Sequence, residues 1–440
     1  RHLLARIHRY TIGRLRREIE PVSRRQLMRF LFDWQHVSSA TRLKGPDALG
    51  TTLAQLEGFE AAAGSWESEI LPARIEDYSI AWLDDLCRAG RISWNRLRVG
   101  SGGGNPVRST PIVLMPRRHL ATWTSVSSSG DPQQPLLSSR AQAIADALRD
   151  QGALYFDELL DATRLLRTEL EDALGELVAA GQVSADSFAG LRALLLPAAK
   201  RDASRHRRMR RHMLHDIEDA GRWALTKSTP PQPSPASRGG SSSVANSLSV
   251  STKGSPRPTA PALAPAGRGR LGGGEALDSA DAIEHIARTL LSRYGVVFWK
   301  LLEREAPWLP SWRELLRVYH RLEARGEIRG GRFVEGLVGE QFALPEAIAP
   351  LRAVRQRADD GELVCLSGSD PLNLVGTVLV GDKVPALASS RVLYRDGIPV
   401  AALIAGKVVS LIELSAAELQ TSRHALLRHA TPPEGFRAAS

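Results

Sequence analysis

The chain has 440 residues, 43% of them hydrophobic, which allows two to four domains with real cores at roughly 100–200 residues each. Lys and Arg number 58 against 48 Asp and Glu, and the formal net charge of +10 favours polyanionic partners, nucleic acid first and an anionic membrane surface second. No apolar run approaches the roughly 18 residues of a membrane span, and two cysteines far apart, Cys87 and Cys365, support neither a disulfide framework nor a zinc site, so a cytoplasmic location with no membrane is expected.

No signal peptide opens the chain, which starts at Arg1 and is expected to be a piece of something longer. Residues 36–126 carry breaks at Gly100-Ser101-Gly102-Gly103-Gly104-Asn105-Pro106 and, just beyond, at Ser127-Ser128-Ser129-Gly130-Asp131-Pro132. Between the two breaks Ile112-Val113-Leu114-Met115 reads as a short strand. Residues 140–226 begin with three helices, Ala141–Arg149, one opening at Tyr155–Leu160, and Arg167–Ala180 with Leu170, Leu174, Leu177 and Val178 on one face. Residues 227–274 are mostly Ser, Pro, Gly and Ala, with six basic residues and no acid. They cannot bury enough apolar surface to offset the cost of ordering, and a disordered basic linker is expected. A helical block follows over 275–357.

The last segment, 358–440, is read as a small β module and tail. Arg391–Arg395, the tight turn Asp396-Gly397 and Ile398–Leu403 predict a hairpin, and Val408–Ile412 a further strand. Pro399 has to sit at a strand start or an edge. The expected form is a small sheet or barrel-like module.

An internal repeat organises the helical part. Leu83-x-x-Leu86-x-x-x-Gly90-x-Ile92 recurs from Leu174 to Val183 and from Tyr319 to Ile328 at identical spacing. Two apolar residues one turn apart pin a helix to a core, Gly supplies the left-handed residue that ends it, and the next apolar residue starts a strand. In the second and third copies two helices come first. Three helices followed by a wing are the winged-helix variant of helix-turn-helix, so the fold expected is mainly α with small β, in tandem winged-helix units. In the third copy, Glu327 to Val334 predicts a two-stranded wing turning at Gly330-Gly331.

Basic residues then single out candidate contacts. On the helix from Ser311 to Arg325, Leu315, Leu316, Val318, Tyr319 and Leu322 form the apolar side. Arg313, Arg317, His320 and Arg321 share the other, with no acid among them, and Arg329 and Arg332 continue the row. Such a face suits phosphates or a groove, although arginines are also common on ordinary solvated faces. Arg207, Arg208, Arg210 and Arg211 belong to the densest basic run, which fits phosphate contact or a positive helix end equally. His206, His212 and His215 lie near it, but no companion carboxylate pattern supports a metal, and none is expected. Trp299, Trp308 and Trp312 cluster around the third unit, where core or interdomain packing outweighs base stacking.

No G-x-x-x-x-G-K-[ST], H-E-x-x-H or G-x-S-x-G occurs, so no nucleotide cofactor is expected in this chain. Glu340 and Asp370, in compact polar motifs, are weak candidates for a catalytic carboxylate in a cleft. Turn chemistry explains Asp370-Pro371 as well.

Several stretches resemble the C-terminal extension of the bacterial large helicase-related (Lhr) family, across nearly the whole chain outside the linker. They are Ala5–Thr11, Arg17–Val22, Gln55-Leu56-Glu57-Gly58-Phe59-Glu60, Trp66-Glu67 with Ile70–Arg74, Arg293–Phe298, Gly330–Phe333 through Gly339-Glu340-Gln341-Phe342, and Asp370–Leu374. The resemblance implies that residues 1–35 end a helicase core lying upstream, an ATP- and Mg-dependent 3′-to-5′ DNA helicase of superfamily 2 acting in DNA repair. It implies DNA as partner, single-stranded or duplex, the helicase core in cis, and assembly into homo-oligomers. It also implies an arrangement similar to bacterial DNA glycosylases, with activity on uracil or damaged bases as the alternative function. No residues here match the Q-x-Q-type catalytic element of those enzymes.

Overall fold

The structure, a computed structural model, describes residues 19–97, 110–127, 137–195, 217–226 and 279–428. The basic run with Arg207, Arg208, Arg210 and Arg211, and the expected linker 227–274, lie outside the described residues.

The chain enters through α1 (Arg24–Trp34), capped by reciprocal hydrogen bonds between Ser23 and Gln26. Its Leu27, Met28, Phe30, Leu31 and Phe32 are buried in a core formed chiefly with the third unit and the β module. Phe32 meets Tyr394 edge to face at 5.3 Å, and Val22 bridges Val334. The sequence sets residues 1–35 apart from the winged-helix units. Physically, this amphipathic helix has no independent core and is buried by elements 300 residues later.

Three winged-helix units come next. The first has α2 (Pro46–Gln55), β1 (Ala61–Ala62), helical turns through Leu71–Arg74, α3 (Ile80–Arg88), β2 (Ile92–Asn95) and β3 (Pro111–Pro116); α4 (Leu120–Ser127) succeeds it. The second has α5 (Ser139–Gln151), a single bridge at Leu154, α6 (Phe156–Thr163), α7 (Arg167–Ala179), β4 (Val183–Ala185), α8 (Phe188–Leu194) and β5 (Trp223–Leu225). The third has α9 (Ser279–Tyr294), β6 (Val296–Phe298), a 3-10 turn at Trp299–Arg304, α10 (Trp312–Ala324), β7 (Arg329–Gly331) and β8 (Gln341–Ala343). In each, the last strand lies between the other two and pairs antiparallel with both. The two helical elements before the repeat, expected for two units, are present in all three.

The repeat works as its chemistry requires. Gly90, Gly181 and Gly326 have φ of 67°, 67° and 77°. The N–H after each glycine reaches back five residues, Arg91 to Leu86, Gln182 to Leu177 and Glu327 to Leu322, each at 2.9–3.0 Å. This is the 6→1 bond of a Schellman cap. An added Cβ meets nothing at Gly326, but at Gly181 it would press on the Arg96 carbonyl. Gly326→Ala should therefore cost only the left-handed backbone penalty, about 1–2 kcal/mol, and Gly181→Ala more. Urea titration of both variants checks this ranking.

The wing of the third unit differs from the expectation. Gly330-Gly331 lies inside β7, and the partner strand β8 begins ten residues further on. Gly330 is buried, pairs with Phe342 and donates its N–H to Glu323, so it is held in the strand. Gln341 closes the loop: its side-chain oxygen accepts from the Phe333 and Val334 N–H groups and its amide donates to the Val334 carbonyl.

The first unit is central. Its Trp94 meets Trp223 and Phe188 of the second unit and donates to the Ser187 carbonyl. On its other side Trp123, on α4, meets Trp308 of the third unit, whose indole donates to Glu60. The packing role expected of Trp308 is thus observed.

After α11 (Pro345–Ala353), the tail is an open antiparallel meander of β9 (Leu363–Ser367), β10 (Arg391–Arg395), β11 (Ile398–Ile404) and β12 (Lys407–Ser410), with no closed barrel. Asp396 and Gly397 both have positive φ, as a two-residue hairpin turn demands. Pro399 sits second in β11, opposite Tyr394 and beside a bulge between Leu393 and Tyr394. Helix α12 (Ala416–Arg428), which the strand-rich pattern of this segment did not suggest, packs on the sheet through Leu426.

Candidate nucleic-acid interface

Helix α10 is fixed before its outer face can be considered. The Glu314 carboxylate accepts from the Ser311 N–H at 2.9 Å and hydroxyl at 2.7 Å, and these bonds lower its pKa. Leu315, Val318, Tyr319 and Leu322 are buried, and the Tyr319 ring stacks on Phe342 at 5.3 Å. That anchoring leaves Arg313, Arg317, His320 and Arg321 on the opposite side, with Arg329 and Arg332 beyond. Arg329 also lines a groove of about 610 Å³ together with Arg352.

The row is not free of acids in space, as the sequence suggested. Glu284, on α9, lies 3.8 Å from Arg321 and 3.1 Å from Arg325, and hydrogen bonding from Arg288 first, then the nearby arginines, keeps its pKa low. Glu340 lies 3.2 Å from His320. Among the described residues, Arg313, Arg317, Arg329 and Arg332 make no ion pair. The equivalent helix of the second unit, α7, carries Glu169, Glu171, Asp172 and Glu176 against Arg167, whose charge Glu171 and Glu218 engage. Of these two helices, α10 carries the basic recognition-type face.

The two carboxylate candidates are separated. Glu340 is at the surface beside the arginine row, paired with His320. Asp370 faces no cleft: it is 1% exposed, and its two oxygens accept bidentately from Arg74, itself 0% exposed, at 2.7 and 3.0 Å. The Leu372 N–H also binds it at 2.9 Å. A carboxylate so enclosed holds elements together and is not placed to meet a substrate.

A second polar centre joins residues that the sequence did not bring together. Glu57 comes just after α2. One of its oxygens, Oε1, accepts from Trp123 Nε1 at 2.7 Å, His285 Nε2 at 2.7 Å and His119 Nδ1 at 2.9 Å, and Oε2 is also 2.9 Å from His119 Nδ1. Burial opposes its ionisation, but hydrogen bonds from His285, Trp123 and His119 outweigh this and hold its pKa below the usual carboxylate value. The three ligand-type atoms of Glu57, His119 and His285 lie within 4.8 Å of one another. Among the described residues no helix is long and apolar enough to cross a membrane.

The chain is similar to known proteins. Residues 22–117 and 276–363 match two family models described as large helicase-related protein, winged-helix domain. Over 415 residues the chain is 28% identical to the "Lhr helicase/ probable uracil glycosylase" of Mycolicibacterium smegmatis, covering 92% of this chain and 24% of that protein. Over 358 residues it is 30% identical to the "Lhr helicase/uracil glycosylase" of Escherichia coli, covering 78% and 20%. The chain thus spans no more than about a quarter of the length of these curated relatives. Among solved structures, Streptomyces sahachiroi DNA glycosylase AlkZ is similar over 94% of this chain and 98% of its own, with a TM-score of 0.47 and 14% identity.

Proposed function

The chain belongs to the large helicase-related family, two of whose winged-helix domains it contains, and from that premise we propose that it is a DNA-binding region of a protein that acts in DNA repair. The observation that carries this is the row Arg313, Arg317, Arg329 and Arg332 on the third helix and wing of the third unit. Relatives named as helicases support a helicase core in cis, to which ATP and Mg would belong. Assembly into homo-oligomers and a cytoplasmic location are part of the proposal.

The test is salt dependence. Replacing Arg313, Arg317 and Arg332 by Ala leaves the apolar face of α10 intact, and Ala is a good helix former. Each phosphate interaction removed should lower the slope of log affinity against log salt by about 0.9 for duplex DNA, or about 0.7 for single strands. The weakening should be alike across sequences, because phosphate contacts position without specifying. Arg321→Ala should change the slope less, since Glu284 already shares its charge. An unchanged slope in a folded triple variant refutes the interface.

A DNA glycosylase acting on uracil or a damaged base is the second reading. The names of both relatives favour it, as does Glu340, a surface carboxylate beside the arginine row. Abasic sites formed in uracil-containing duplex by the purified chain, and abolished in Glu340→Gln, would establish it. Tight binding without abasic sites would leave the binding role alone.

A further inference from the structure

We propose that Glu57, His119 and His285 bind one divalent transition-metal ion of the zinc class, which clamps the first and third winged-helix units together. His119 ends the turn Arg117–His119 after β3 of the first unit, and His285 lies on α9 of the third. The two imidazoles converge on one carboxylate, their ring centroids 4.4 Å apart. Two imidazole nitrogens and one carboxylate are a familiar zinc ligand set that leaves a fourth position for water. Imidazole ligands favour zinc, copper, iron or nickel over magnesium or calcium.

Two features point to an ion in particular. First, three N–H groups from three distant segments converge on the one Glu57 carboxylate, His119 Nδ1 bridging both of its oxygens. An ion can take the place of the two imidazole protons and keep the same three side chains together. Zinc bonds of about 2.0–2.2 Å place tetrahedral ligand atoms about 3.3 Å apart, so the two Glu57–imidazole pairs, at 2.9 and 2.7 Å, need open by only about half an ångström, and all three ligand atoms already lie within 4.8 Å of one another. Second, the surroundings are graded. The Glu57 side chain is 6% exposed and oriented by Trp123 Nε1, and its backbone carbonyl accepts from Arg293, whereas the His119 and His285 side chains are 25% and 27% exposed. A rigid inner ligand with two outer ones at the solvent boundary gives an entry path and firmly held ligands.

Each imidazole must present a bare nitrogen, so its proton moves to the other ring nitrogen. For His119 that nitrogen, Nε2, now accepts from Arg118 Nε at 3.0 Å. Arg118 is exposed and must swing away, which makes it an opponent of binding.

The test uses the whole chain, stripped with chelator, dialysed and titrated with Zn²⁺ alone by calorimetry. One ion per chain is expected, with a rise in Tm on addition. His119→Ala and His285→Ala should each weaken binding at least about tenfold and abolish the Zn²⁺-dependent rise, read against each variant's own metal-free Tm. Arg118→Ala should bind as tightly or more tightly. With Co²⁺, the visible absorption of a tetrahedral site should appear in the parent and vanish in both His variants. Absence of stoichiometric Zn²⁺ overturns the proposal. So does stoichiometric binding that survives both variants but disappears when His206, His212 and His215 are replaced.

Discussion

Asp370→Ala is expected to destabilise the protein by about 3–5 kcal/mol, the cost of leaving a buried charge without its partner. The stranded group would be Arg74, fully buried, which also donates to the Ile70 carbonyl at 3.0 Å and to Gln35 at 2.7 Å. Around Asp370 the geometry is as closed: Arg304 donates twice to its backbone carbonyl, at 3.0 and 2.8 Å. The first unit, α1, the third unit and the approach to the β module therefore meet at one ion pair. Water cannot solvate the arginine left behind without opening that junction. Replacing both partners, as Arg74→Met with Asp370→Leu, should cost less than Asp370→Ala alone, because no charge is then stranded. Urea unfolding measures all three. A single variant within 1 kcal/mol of the parent, roughly the net worth of one ordinary hydrogen bond, would mean that the pair is not structural and would restore Asp370 as a functional candidate.

The second large effect is expected at Gly58→Ala. Gly58 has φ +73°, and a Cβ there would come within 2.5 Å of three carbons of the Trp123 ring, which is itself buried. The left-handed backbone costs about 1–2 kcal/mol and overpacking about 1–3 more, a loss of about 2–5 in all. Trp123 cannot give way cheaply, since its indole N–H binds Glu57 and its ring packs on Trp308. Gly58→Ala with Trp123→Phe should recover part of the loss, because the smaller ring vacates the space the Cβ needs. A double-mutant cycle on unfolding free energies reads that coupling. Strictly additive losses would show that the clash is relieved elsewhere.

Much of this molecule was legible because its signals are local. The three helix ends were readable from Gly90, Gly181 and Gly326, since a left-handed cap needs only the glycine and the apolar residues within one turn. The hairpin at Asp396-Gly397 was readable for the same reason, as was the two-sided pattern of α10. Gly330-Gly331 misled because two glycines favour a turn in isolation, whereas here they pair with Phe342 and Gln341 inside β7. Glu57-Gly58-Phe59 stood out as a motif, but nothing in it named a partner.

The sequence by itself determined the winged-helix units, the β hairpin and the basic face, because each depends on periodicity and backbone preference over ten or so residues. Only the tertiary structure decided which charges are satisfied. Glu57 meets His119 across 62 residues and His285 across 228, Arg74 meets Asp370 across 296, and Glu284 reaches Arg325 from another helix. Ion pairing and metal ligation depend on distances of a few ångströms between side chains, and those distances are set by how the units pack, which no local pattern encodes.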